Sequence, residues 1–319
     1  MTLTARTVTA GARASTRPSR RRTTPVWPMY VAIAPFFILF LCFGLYPTAS
    51  SLVLSFQKWN GLGSAEWVGV DNYVRLFSDA TFWLSVRNTF IIFALSTIPM
   101  MIIALAVAAM LNNAVRYSTT LRIAYFVPNI TSVVAMAILF GAIFGETFGL
   151  ANALLNGLGL PDFRWFSTPF GLQLTVSILI TYQWTGYNAI IFLAGMQSIS
   201  SEVYEAATMD GAGPVRSFFS ITIPLLRPTI IFVLIVSIIT GLQSFTEAQV
   251  LTSSASTTNP NSGGAGQGAL TMVLYFYQQA FSYNKLGYGA AIAWGIFLII
   301  LVFVIISWRY SVKREDPTR

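Results

Sequence analysis

The side chains best able to do chemistry fall in two short stretches, and neither sets a nucleophile beside a base. The first holds Gln183, Trp184, Tyr187 and Asn188. Flat aromatic faces suit the C–H surface of a neutral, hydroxyl-rich molecule, while amides and a phenol suit its hydroxyls. The second runs from Glu202 through Glu205, Ala206, Ala207 and Asp210 to Gly211 and Gly213. Ser200 or Ser201 caps a helix there, and Glu202 and Glu205 lie in its first turns, where the helix dipole favours negative charge. The glycines end it, and Pro214 follows. Such a helix offers small side chains that let a partner approach closely and a carboxylate that pairs with a basic group.

The rest of the sequence argues against catalysis. With no His and a single Cys, a His/Cys metal site is excluded. Cys42 lies in an apolar run and forms no internal disulfide. Gly263, Gly264, Gly266 and Gly268 neither follow a strand nor end in Gly-Lys-Ser/Thr, so they cradle no phosphate. No cluster of nucleophile, base or metal ligands is visible, which leaves no catalytic and no metal-binding residue to name.

The elements that must position these stretches are membrane helices. The chain is 55% hydrophobic and 9% charged, against about 25% charged in soluble domains. A hydrocarbon layer about 30 Å thick takes roughly 20 apolar helical residues to cross. Six runs qualify, at 29–55, 89–111, 123–144, 171–195, 229–245 and 288–308. They lack the alternation of barrel strands, so helix is the reading.

Orientation follows from the basic residues, which accumulate in cytoplasmic loops. With the N-terminus inside, fourteen of the nineteen Lys and Arg face the cytoplasm; only Lys58, Arg75, Arg87, Arg164 and Lys285 fall outside. Net charge +8 is then an orientation signal and not the mark of a nucleic-acid partner, since Arg20, Arg21 and Arg22 abut the first run beside anionic lipid. Residues 1–25 read as a disordered basic cytoplasmic tail, 26–312 as the transmembrane domain, and 313–319 as a second tail. A cleaved signal peptide is disfavoured, because the first apolar run exceeds the roughly 7–15 residues of a signal core.

Outside, the segment 57–87 carries Trp59, Trp67, Tyr73, Phe77, Phe82 and Trp83. These read as an interfacial aromatic belt or, alternatively, as a docking surface. The Ser, Thr, Asn and Gly of 252–268 predict a mobile loop. Residues 270–281, uncharged but too short to span, predict a helix lying at the outer interface.

Between the fourth and fifth runs, 198–228 is too structured for a connector. After the capped helix, a short segment 215–223 leads to Pro224 and Pro228, which bracket a bend. The pattern Glu205, Ala206, Ala207, Gly211, Ile221, Ile223 and Pro224 resembles the EAA loop of the permeases of type I ATP-binding-cassette (ABC) importers, with Ile223 where that family usually has Leu. The longer string from Glu202 to Pro214 is similar to the form in carbohydrate permeases of the maltose-transporter group. The likeness covers roughly 29–310, through the run Val68 to Tyr73, the pair Asn88 and Thr89, then Ala280 and Phe281, and finally Gly287 to Ala291.

This resemblance implies an all-α integral membrane protein of a bacterial cell membrane, with six transmembrane helices in the type I ABC importer (MetI-like) permease fold and both termini cytoplasmic. Glu205, Ala206, Ala207, Asp210 and Gly211 would form a coupling helix seated on a cytoplasmic ATPase. No cofactor would bind this chain; ATP and Mg would sit on two partner ATPase subunits. The other implied partners are a second, related permease and an extracytoplasmic solute-binding protein. Aligned without gaps from the EAA loop, Gln183, Trp184 and Tyr187 fall at sugar-contacting positions of the maltose permease, as do Ser237, Thr240, Gly241 and Ser244. Gln243 and Thr246 are polar neighbours. Helix packing is the competing role for each. A glycerol-phosphate-type solute stays open, although no basic residue accompanies this set. Glu247 either lines the outer cavity or sits among headgroups, and the latter is preferred. An ion-coupled secondary transporter is the rival reading, but it would use intramembrane acids or His, and none lies deep in any run.

Overall fold

The computed structural model describes residues 27–113, 118–255 and 262–312. The two tails expected at 1–25 and 313–319 lie outside the described residues. The chain divides into two units after Ser50. The first contains α1 (Trp27–Phe40) and a π-helical turn, Leu41–Leu45, and ends within α2 (Tyr46–Ser55). Phe36, Phe37, Phe43 and Tyr46 are exposed there, as side chains that meet lipid tails should be.

The second unit opens with a hairpin, β1 (Gln57–Lys58) antiparallel to β2 (Glu66–Trp67), and then α3 (Asp71–Ser78). Next come α4 (Ala80–Asn113), α5 (Ser118–Ile130), α6 (Val133–Ile143), α7 (Leu150–Gly157) and α8 (Pro169–Gln197). After α9 (Ser201–Met209), the chain continues through α10 (Pro214–Ser217), a π-helical turn and α11 (Ile223–Leu225) to α12 (Arg227–Gly241). The last helices are α13 (Thr246–Ala255), α14 (Met272–Tyr277) and α15 (Leu286–Val312).

The spine of this unit is α4 against α8. Gln173 Nε2 donates to Asn88 Oδ1 at 3.1 Å, and Ser177 Oγ and Thr181 Oγ1 reach the carbonyls of Ile92 and Ser96 at 3.2 and 3.1 Å. Asn188 Nδ2 meets Met100 Sδ at 3.2 Å. Residue numbers rise together on both helices in steps of about one turn, so α4 and α8 are parallel. Each hydroxyl also lies within bonding distance of its own i−4 carbonyl, so its proton is shared between two helices. This explains why a helix of about 43 Å is so polar: the stripe of Gln173, Ser177, Thr181 and Asn188 bonds to α4, and of its buried side chains Gln183 Oε1 is left without a partner. Around the spine, Ile92, Leu172, Val176 and Leu179 form one core with α6 and α13, and Ala104, Ala108, Phe192 and Leu193 form another with α12.

Because α4 and α8 point the same way, the chain between them has to travel back along the bundle. The third apolar run makes that return, but not as the single straight helix its composition suggests. It breaks by 93° between Ile130 and Val133. Pro128 removes an amide from the helix end, and Ser132 takes an extended ψ of 125°. By Glu146 the chain has reached the start of α8: the Glu146 carboxylate accepts the N–H groups of Phe166 and Ser167 at 2.8 and 2.7 Å.

The fifth run is also shorter than 229–245. α12 is bent by 66° from the segment before it, at the Pro224 and Pro228 bracket, and stops at Gly241. Residues 242–245 turn, and α13 starts afresh at Thr246. Nothing in the apolar composition announces this break.

Three outer-loop expectations change as well. Residues 262–268 are tied down and not a mobile loop: Asn88 Nδ2 donates to the Gln267 carbonyl at 2.8 Å, and Ala269 N bonds the Gly263 carbonyl at 2.9 Å. Residues 256–261 of that stretch lie outside the described residues. The helix at 272–282 is not a surface helix: Met272, Leu274, Tyr275, Gln278 and Ala280 are buried against α4 and α15. Among the outer aromatics, Phe82 is core, whereas Trp67 and Phe77 are exposed.

Candidate functional site

The break after α12 is where the site forms. A cavity of about 220 Å³ lies between α8, α12, the turn 242–245 and α4. Trp184, Tyr187 and Asn188 enter from α8, spaced at i, i+3 and i+4 so that one face of the helix presents all three. The Trp184 and Tyr187 rings meet edge to face, 5.7 Å apart at 88°. Together they make an aromatic corner against which an apolar face can lie. Asn188 Nδ2 is held by the Trp184 carbonyl at 3.0 Å and by Met100.

Opposite stand Ser237, Thr240 and Gly241 of α12 and Ser244 of the turn. Gly241 is a close-approach position: a Cβ there would come within 2.9 Å of the Phe93 ring on α4. The missing side chain lets α12 close one wall of the cavity. The Ser244 carbonyl, freed by the helix break, accepts from Thr271 Oγ1 at 2.9 Å. Its hydroxyl is buried and has no hydrogen-bond partner.

Of the seven residues expected at a solute site, six therefore line one cavity. Gln183 does not. It is 4% exposed, outside the cavity lining, one turn before Gly186, which lies against the Tyr125 carbonyl of α5. Its neighbours in sequence have the right chemistry, but 100° per residue turns it into the bundle. Thr97 and Met100 of α4 line the cavity too, and the adjacent polar pair Ser96 and Thr97 within an apolar run was the available sign. Glu247 also lines the cavity, the first of the two places open to it. It opens α13, and the buried Ala248 and Leu251 beside it hold that helix inside the bundle.

The second candidate, α9, follows the C-terminal end of α8. Ser200 Oγ accepts the Glu202 N–H at 3.3 Å. At the other end Ala212 N bonds the Ala207 carbonyl and Gly211 N the Thr208 carbonyl, at 2.9 and 3.0 Å. That pair is a Schellman closure, and it needs the left-handed residue that Gly211 supplies at φ +75°. Glu205, Ala206, Asp210 and Gly211 are exposed. Ala207 is not: it is buried, so its small side chain serves close packing on the bundle and not an outer partner. Tyr204 Oη meets Thr222 Oγ1 at 3.1 Å, which ties α9 to the segment leading into α12.

Residues 81–314 match the family model described as "Binding-protein-dependent transport system inner membrane component". The chain is 37% identical to the arabinooligosaccharides transport system permease protein of Bacillus subtilis, over 88% of each chain. It is 36% identical to the lactose transport system permease protein of Rhizobium radiobacter, over 90% of this chain and 94% of that one. In fold it is similar to a chain from a bacterial ABC transporter involved in the import of the acidic polysaccharide alginate: TM-score 0.76 and 23% identity, over 92% of this chain and 97% of that one. A broken-helix cavity, an exposed capped helix at the basic end of a parallel spine, and these likenesses lead to one assignment. The chain belongs to the binding-protein-dependent transport system inner membrane components, as a permease subunit of an ABC importer and not an enzyme.

Proposed function

We propose that this permease carries a neutral sugar or oligosaccharide, delivered by an extracytoplasmic solute-binding protein, through the cavity between α8 and α12. The observation that carries the reading is the aromatic corner of Trp184 and Tyr187 facing the hydroxyl-bearing wall of Ser237, Thr240 and Ser244 around Gly241. Stacking surface plus hydroxyl partners is what a sugar needs. A cavity of about 220 Å³ is smaller than the roughly 300–1,000 Å³ of a complete small-molecule site. A second permease subunit, in a heterodimer, would complete the path.

Six spans with both termini cytoplasmic fit the parity of the helices. α4 and α8 are parallel, and α15 runs with them, since Tyr288 meets Asp79 while Phe303 meets Phe90 and Phe93. The end where these helices finish carries Arg122, Arg216, Arg227 and Arg309 and also α9, as an inward-facing end should. Within the permease domain of 26–312, the loop 198–228 then serves as coupling element. Glu205, Ala206, Asp210 and Gly211 contact an ATPase, and Ala207 seats the helix. ATP and Mg reside on two such partners. Their closure turns the spans by moving α9, and Tyr204 and Thr222 pass that movement to α12. The direct test is uptake by reconstituted vesicles containing the assembled complex and its binding protein. ATP-dependent accumulation of radiolabelled lactose or arabino-oligosaccharide is expected; uptake driven by an ion gradient without ATPase subunits would sink the proposal.

A further inference from the structure

We propose that Glu247 is the charge filter of the solute path: its carboxylate engages hydroxyl pairs of a neutral solute and turns away phosphate-, sulfonate- and uronate-bearing ones. This rests on the preceding reading for the solute class, but not for the filter itself. Among the residues lining the cavity Glu247 alone is formally charged, and no Lys or Arg stands with it. An uncompensated carboxylate in a confined, poorly hydrated space acts over several ångströms, because the surroundings screen it far less than water does. An ionised carboxylate only accepts hydrogen bonds, and its two oxygens match two adjacent hydroxyls.

Its place is fixed. Glu247 lies in the first turn of the ten-residue α13, where the helix dipole works against the desolvation of its carboxylate. Ala248, Leu251 and Thr252 are fully buried, which locks α13 against α6 and α8 and holds Glu247 at the cavity. Three residues before it, the 8% exposed Ser244 keeps a hydroxyl without a partner. A buried polar atom left unpaired costs stability unless something arrives to pair with it. Glu247 and Ser244 thus form an acceptor and a donor on the same wall, a complement to a polyol and a poor match to an anion.

Cys42 is the only cysteine, so Cys42→Ala gives a cysteine-free background. In that background, Gln243→Cys places a reporter on an exposed residue of the cavity lining, and Thr246→Cys places a second. Both are read in the assembled complex, as the ratio of modification rates by a cationic and an anionic methanethiosulfonate of similar size. The cation should be favoured, and E247Q, which keeps the shape and removes the charge, should cut the ratio about ten-fold. E247K should invert it. A ratio unchanged within two-fold at both reporters, or two reporters that neither reagent reaches, overturns the filter. Lactose uptake measured alongside separates the two claims. A flat ratio with uptake intact retires the filter alone; a shifted ratio without uptake of any neutral sugar retires the sugar reading alone.

Discussion

Trp184 and Tyr187 meet edge to face in the cavity wall, and each ring can present a face to a sugar only because the other braces it. Trp184→Ala should lower uptake about ten-fold, the kinetic equivalent of one lost aromatic contact, while the complex still assembles and docks its loaded binding protein. Unchanged uptake in both Trp184→Ala and Tyr187→Ala would remove the corner from the path. Asp79 shows residue-scale chemistry of a purely structural kind. Its carboxylate accepts the hydroxyls of Tyr275 and Tyr288, the latter at 2.6 Å, and the Thr81 and Phe82 amides at the start of α4. Burial pushes this carboxyl up, but bonds from Tyr275, Tyr288, Phe82 and Thr81 outweigh that and leave it below the usual carboxylate range. A depressed folded value means that the stabilisation is present above the unfolded pKa of about 3.9 and is lost as pH falls through the folded one. D79N should therefore cost roughly 1–2 kcal/mol at pH 7 and less at pH 3, read as melting of the purified complex. Equal loss at both pH values would refute that account. The residue types at the cavity were legible in the sequence, but their direction was not. Gln183 and Trp184 are equally plausible as letters, and one residue of helical rotation separates a wall from an interior.

At the scale of elements, α9 was the most readable part, because a capped start and a glycine stop are local chemistry. Its inner and outer faces were less so, and Ala207 turned out to pack inward. Gly211→Val puts a β-branched residue at φ +75°, a cost of roughly 1–3 kcal/mol. It should unravel the end of α9 and uncouple ATP hydrolysis from uptake while the chain still inserts. Hydrolysis still stimulated normally by the loaded binding protein, with normal uptake, would dismiss α9 as the coupling element. The breaks at 131–132 and 242–245 were invisible beforehand, since uncharged runs look alike whether straight or bent. What fixes them is tertiary: Thr271 supplies the hydrogen bond that the freed Ser244 carbonyl needs, from far along the chain.

For the molecule as a whole, apolar run lengths carried the mostly helical membrane fold, while the proposed span count and orientation rest on Arg placement and on the parallel spine. In the Cys42→Ala background, a cysteine at Ser64 should react with an impermeant reagent from outside intact cells, and one at Thr208 only after permeabilisation. The reverse pattern would turn the topology over. The α4–α8 ladder has one further consequence. Its hydroxyl bonds recur once per turn, so a slide of a single residue would break every rung together, and only a whole-turn jump would restore them. These two helices are accordingly a stator, and bending in a transport cycle would fall to the three interruptions beside them, at 131–132, 224–228 and 242–245.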